Sequence, residues 1–223
     1  MIMKKMTLVA IGTFLTVAGF SQFSFGVQAI GNASSASIKL PEVDFTKTAK
    51  GLPGAGIVAQ YDLSEKFAIR SGVNYLQHGV IAEAVLDPTA DLTIKAENTL
   101  HYLQIPVNVL YSIPVGSVKL YAGLGGFVNY GVGGTSTQTT RITMPDGEEN
   151  VIVEKVKAFK KEDDGGAGFK KFDVGASALA GVKFNNGLFA NVGYQHSLTN
   201  ITQGESGGKY KNQGLQLSVG YFF

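Results

Sequence analysis

The chain has 223 residues, no cysteine, 29 glycines and only 16% charged residues, for a net charge of +2. This composition excludes disulfides and thiolate chemistry and lacks the basic excess of a nucleic-acid binder. Mean hydropathy is only +0.11, too low for a bundle of long transmembrane helices.

Residues 1–21 read as a secretory leader. Lys4 and Lys5 form a positive start, Met6 to Phe20 is apolar, and the small residues Gly19 and Ser21 precede an expected cut before Gln22. The apolar run is short for a bilayer span of about 20 residues. No cysteine follows it, which argues against lipid attachment. The expected mature domain, 22–223, carries 17 basic and 17 acidic residues once Lys4 and Lys5 are removed.

Eight segments of that domain alternate with period two, the signature of strands. The first is Phe23–Gly31, with Phe23, Phe25, Val27 and Ala29 on one face. Gly54–Tyr61 follows, placing Ala55, Ile57, Ala59 and Tyr61 outward. The third, Phe67–Gln77, puts Phe67, Ile69, Val73 and Tyr75 out and Arg70, Gly72 and Asn74 in. The fourth, Leu100–Tyr111, sends Leu103, Ile105, Val107 and Val109 out and Gln104, Pro106 and Asn108 in. Pro106 removes one ladder donor, so a bulge or weak point is expected there. The fifth is Val118–Val132 and the sixth Phe172–Phe184, with Lys119, Gly123, Gly125, Asp173, Ser177 and Lys183 inward. The seventh is Leu188–Gln195. The eighth, Gly214–Phe223, alternates Leu215, Leu217, Val219, Tyr221 and Phe223 against Gly214, Gln216, Ser218 and Gly220.

The charges identify the faces. Arg70, Lys119, Asp173 and Lys183 all share the inward parity, opposite a face nearly free of charge. A soluble β-sandwich would turn its charges outward. In a membrane barrel a charge on the lipid face would cost about 2–4 kcal/mol at the midplane. The expected fold is therefore all-β: an eight-stranded antiparallel up-and-down transmembrane barrel. The connections agree. Short ones (62–66, 112–117, and Asn185-Asn186-Gly187, a type I′ turn signal) alternate with long ones (about 32–53, 78–99, 133–171 and 196–213). Outer-membrane barrels have this asymmetry, with short periplasmic turns, so both termini are expected in the periplasm.

Inside such a narrow barrel, side chains fill the space. Tyr102, Tyr121, Phe127 and Phe189 point in, and Arg70, Lys119, Asp173 and Lys183 are expected to form one packed ion network that leaves no conducting pore. In the longest loop, Arg141–Met144 and Val151–Val156 flank Pro145-Asp146-Gly147-Glu148, a projecting hairpin. Lys155, Lys157, Lys160 and Lys161 then precede Glu162, Asp163 and Asp164. This stretch reads as a solvated loop, with docking of a partner or of lipopolysaccharide phosphates as the sharper reading.

His78, His101 and His196 lie near the outer strand ends, but His78 faces in and the other two out, so they do not converge. No catalytic residues, metal site or cofactor are expected. Gly123, Gly125 and Gly126 lie within a strand with no helix to follow, which excludes a phosphate-binding glycine loop.

Tyr102-Leu-Gln-Ile-Pro106, Tyr121-Ala-Gly-Leu-Gly125, Tyr194-Gln-His-Ser-Leu-Thr-Asn-Ile201 and the last strand resemble the PorT-like outer-membrane β-barrel family of Bacteroidetes over about residues 22–223. The architecture is also similar to OmpX and the membrane domain of OmpA. The resemblance implies an eight-stranded outer-membrane barrel and, for Tyr221 and Phe223, a signal read by the barrel-assembly machinery. It carries over no catalytic residue. A periplasmic domain binding the cell wall is not expected, because the sequence stops with the barrel.

The function expected on these grounds is a non-enzymatic integral outer-membrane barrel. It acts through its outer loops in envelope structure or in docking to an outer-membrane complex. The alternatives are an accessory of a protein-secretion apparatus and a small-ligand or lipid-binding barrel. Outer-membrane lipid and, during biogenesis, the assembly machinery are the expected partners.

Overall fold

The computed structural model describes residues 22–39, 46–87, 92–143, 148–202 and 208–223. The leader expected at 1–21 lies outside them. Nine strands follow in chain order: β1 (Phe23–Lys39), β2 (Thr46–Asp62), β3 (Phe67–Asp87), β4 (Leu92–Val115), β5 (Val118–Thr143), β6 (Glu149–Lys157), β7 (Phe172–Phe184), β8 (Leu188–Ser197) and β9 (Lys209–Phe222). All the strand pairings are antiparallel. Eight strands close a ring in the order β1-β2-β3-β4-β5-β7-β8-β9, with β9 returning to β1 from Gly26↔Phe222 to Lys39↔Lys209. Closure matters because lipid offers no partner to an open strand edge.

One strand, β6, stands outside the ring. β5 shares one edge between two partners: β7 pairs with Val118–Tyr130, and β6 with Thr135–Thr143. β5 and β6 thus form a hairpin that rises beyond the barrel.

The alternation expected from the sequence sets the two faces. Leu124, Leu217 and Ile57 stand out from the wall at 71%, 62% and 60% exposure, while Gln104, Asn129 and Asp173 are fully buried inside. Outward aromatics form two belts. Phe23, Phe25, Phe67, Tyr111 and Tyr221 lie toward the short turns, and Tyr75, Tyr130, Phe172 and Tyr194 toward the other end. From Phe67 to Tyr75 along β3 is about 20 Å of barrel height, allowing a rise of ~3.3 Å per residue and a tilt of ~40°. No outward position between the belts carries a charge.

Three features depart from the sequence reading. Most of the segments at 32–53 and 78–99 are strand, not loop, and the hairpin expected around 141–156 is present but longer, pairing from Thr135↔Lys157: β1 to β5 continue well past the belt of Tyr75, Tyr130, Phe172 and Tyr194 as paired extensions. An ion pair of 2.6 Å between Lys50 Nζ and Glu97 Oε1 ties two of them. The Lys50 ammonium donates to the Glu97 carboxylate and holds its pKa below the usual range. This tie therefore persists at neutral pH and loosens only as acid protonates Glu97. Second, of the bulge or weak point expected at Pro106 only the weak point is present. The β3–β4 ladder skips from Ser71↔Val107 to Asn74↔Gln104 with its register unchanged, and the Ser71 hydroxyl donates to the Pro106 carbonyl at 2.8 Å. The register shifts lie higher, at Ala49/Gly54, Val85/Asp87 and His101/Tyr102. Third, the turn at 185–187 is a three-residue loop with Gly187 at φ 91° and its N–H bonded to the Phe184 carbonyl, not a two-residue type I′ turn.

The fold predicts position-specific costs. Leu124→Arg, at mid-height on the lipid face, should lower unfolding free energy by about 2–4 kcal/mol. Val153→Arg, on β6 above the bilayer, should change it by less than about 0.5 kcal/mol. Urea unfolding from lipid vesicles measures both, and equal effects would contradict the assignment of the lipid face.

Candidate functional site

Three levels fill the lumen. At the turn end, Arg70 is 6% exposed. Its Nε and Nη2 donate to Gln60 Oε1 at 3.0 and 2.8 Å, and Nη1 donates to the Tyr121 hydroxyl at 3.0 Å. Its guanidinium lies 4.4 Å from the Tyr121 ring and 5.1 Å from Phe189, which suits a planar, weakly hydrated cation. Lys119 and Lys183 stand just below, directly opposite each other on β5 and β7.

A ladder of amides occupies the middle. Gln104 and Gln195 exchange bonds of 2.8 and 3.2 Å, Gln104 donates to Asn129 at 3.0 Å, and Ser177 donates to Asn108 at 2.7 Å. Gly125 makes room for this level: a Cβ there would sit 2.0 Å from the Val107 carbonyl oxygen and 2.6 Å from Asn108 Oδ1.

The upper level centres on Asp173. Its carboxylate accepts from Ser197 (2.7 Å), Thr199 (2.6 Å), Asn212 (3.0 Å) and Asn129 (3.3 Å). Four donors stabilise the charge in place of a cation. The expected four-member ion network is therefore not one unit. Asp173 pairs across the sheet with Asn129, ten positions along β5 from Lys119, or about 30 Å of strand. Among the described residues, none of Arg70, Lys119, Asp173 and Lys183 makes an ion pair.

Above Asp173 the lumen turns apolar. The segment from Lys157 to Lys171 folds across the mouth. Ala158 N–H bonds to Gly134 O, Phe169 N–H to Ala158 O, and Lys170 N–H to Ile201 O. Ala158, Phe169 and Ile201 pack on Val80, Leu100, Tyr102 and Tyr210, with Phe159 against them. Phe159 meets Tyr102 edge-on at 5.5 Å and Phe169 meets Tyr210 at 5.1 Å. This segment was expected to be solvated; its lysines and acids are, but its two phenylalanines cap the barrel. Isolated aromatics in a charged run carry no periodic signal.

The histidines separate as expected. His78 is buried inward, its Nδ1 3.4 Å from Ser34 Oγ, while that Oγ accepts the Gly79 N–H. His101 faces outward and hydrogen-bonds Tyr75. His196 also lies on the outward parity, half-buried. The Ser34–His78 pair is 1% exposed or less beneath the cap, so no substrate reaches it. Among the described residues no three metal-binding side chains cluster.

Outside the lumen, β6 has an unpaired edge along most of its length among the described residues. Its other side pairs with β5, and beyond that edge only a single bridge, Lys157↔Gly166, is formed. Val151, Ile152 and Val153 on it are 46%, 57% and 62% exposed.

Residues 11–203 match the family described as outer membrane protein beta-barrel domain. The chain belongs to that family. Its barrel is also similar to solved outer-membrane proteins. Neisserial surface protein A is 17% identical (TM-score 0.39), with 89% of this chain and 97% of that one covered. The attachment invasion locus protein Ail of Yersinia pestis is 12% identical (TM-score 0.40), covering 90% and 99%. The outer membrane protease OmpT of Escherichia coli is 9% identical (TM-score 0.35), covering 93% and 99%. No curated protein matches the chain. In this outer membrane protein beta-barrel domain the fold class rests on the strand pairing itself, and the site must be read from its own residues.

The Asp173 cluster predicts a stability effect. Asp173→Leu leaves three buried donors, Asn129, Ser197 and Asn212, without this acceptor and should cost at least about 3 kcal/mol. Thermal unfolding followed by the gel shift of the folded band tests this, and an unchanged midpoint would remove Asp173 from its structural role.

Proposed function

We propose that this outer-membrane barrel is non-enzymatic and works from its outer rim, docking an extended segment of a partner protein onto the free edge of β6. The observation that supports this reading is the pairing of β6 on one side only, with three consecutive exposed apolar residues, Val151 to Val153. An unpaired strand edge templates addition of a further strand, and the lumen behind it is filled and capped. In this reading the short turns and both termini face the periplasm, residues 1–21 are removed on export, and Tyr221 and Phe223 belong to the signal taken up by the assembly machinery.

The PorT-like resemblance favours a finer version, in which the partner belongs to a protein-secretion apparatus. The segments that carry it lie on the packed lumen: Tyr102, Gln104, Gln195 and Ser197 all point inward. They account for a sealed barrel and leave the partner to the rim. A small-ligand barrel is the weaker alternative, since the Gln104–Gln195 ladder occupies the space such a ligand would need.

Thr137 pairs with Lys155, so residues 138–154 can be replaced by an Asn-Gly turn without disturbing the register below. The shortened protein should reach the outer membrane folded and lose the partner that co-purifies with the intact protein in gentle detergent. Retention of that partner at unchanged stoichiometry would contradict docking at β6.

A further inference from the structure

The turn-end mouth of the barrel concentrates positive charge that the fold neutralises only in part. Lys119 and Lys183 are direct cross-strand partners on the inner face, an arrangement in which like charges repel. Arg70 stands behind them. Lys183 Nζ lies 4.6 Å and Arg70 Cζ 5.4 Å from the same Phe222 ring. The three cations step inward from exposed Lys119 through half-buried Lys183 to buried Arg70.

The nearby acids do not balance them. Asp62 accepts a 2.7 Å bond from Gln60 Nε2, and the same Gln60 holds Arg70 through its Oε1. A small cavity of about 20 Å³ is lined by Arg70, Lys119, Lys183 and Lys66 against Asp62 and Glu65, leaving two positive charges in excess. Lys119 and Lys183 also wall an adjoining open groove of about 410 Å³ that includes Asn185, Asn186 and Phe223. Among the described residues neither lysine makes an ion pair, the terminal carboxylate included.

We propose that Lys119 and Lys183 form a binding site for a phosphate-type dianion at the turn end of the barrel. The phosphate would sit in the groove between the two ammonium groups. A double negative charge answers the excess of two, which a single carboxylate would not. Lysine suits this role as a compact point charge. Arg70 is held by Gln60 and Tyr121, so it adds field from behind and does not reach out to chelate. A cleft lined by one sign of charge against a low-dielectric wall concentrates the counter-ion. The source is either free inorganic phosphate or the phosphomonoester headgroup of a phospholipid. The inference is independent of docking at β6.

The test uses the full-length folded barrel in maltoside micelles and phosphate-free buffer. Its unfolding temperature is read by gel shift, with inorganic phosphate titrated against sodium chloride at equal ionic strength. Phosphate should raise the midpoint where chloride does not. The double variant Lys119→Gln/Lys183→Gln should unfold at a higher temperature than the parent without phosphate, because repulsion is relieved. It should also need at least tenfold more phosphate for the same shift. Lys155→Gln, on β6 at the other end of the barrel, should keep the response. A parallel arm adds phosphatidic acid, whose phosphomonoester headgroup can carry two negative charges, to the micelles. A shift from this lipid alone, lost in the double variant, assigns the site to a headgroup, and a shift from inorganic phosphate assigns it to the free ion. The proposal fails if neither raises the midpoint, if chloride does so equally, or if the double variant responds like the parent.

Discussion

Pairing of β1 with β9 is the constraint on which the rest depends. It turns an open sheet into a ring, and only a ring leaves no backbone donor or acceptor facing hydrocarbon. Once the ring has eight strands its interior is too narrow for a wide channel and wide enough for side chains. The inner face must then satisfy its own polar atoms, which explains the runs of asparagine, glutamine and serine that would look like surface in a soluble protein. Those amides bond to each other from Gln28 and Asn74 up to Asp173.

Closure also sorts the molecule by height. Within the bilayer both edges of every strand are occupied. Above it the constraint lapses, and β5 is free to change partner from β7 to β6. One consequence is that the far edge of β6 has no strand neighbour among the described residues, in water rather than lipid. The segment from β6 to β7 then returns over the mouth, where Phe159 and Phe169 bury themselves on Tyr102 and Tyr210. Aromatic contacts of this kind add about 0.5–1.5 kcal/mol each beyond the area they bury. The lumen ends in a dry lid at one end and a charged mouth at the other.

The spanning fold was legible in the sequence because lipid enforces a strict period of two. Leu215, Leu217 and Val219 cannot exchange places with Gln216 and Ser218. Of the extensions only the hairpin arms near Arg141 and Val151–Val156 were legible; elsewhere water bathes both faces and the pattern blurs: Thr137, Gln138, Thr139 and Thr140 alternate in nothing. The site was half legible. Parity told that Arg70, Lys119, Asp173 and Lys183 face inward, but parity carries no height. Register between strands supplies it, and register places Lys119 beside Lys183 and Asp173 beside Asn129. The cap left no trace, since two phenylalanines among lysines and acids fit neither period.

The proposal that this protein works from its rims rests on a lumen packed with hydrogen-bonded amides and lidded by aromatics. Planar-bilayer recording of the purified barrel tests that claim directly. A sealed barrel gives no discrete current steps above the bare-membrane background at moderate voltage. Stable openings of uniform size would mean that ions pass Asp173 and the Phe159–Phe169 lid, and the account of a closed interior would be wrong.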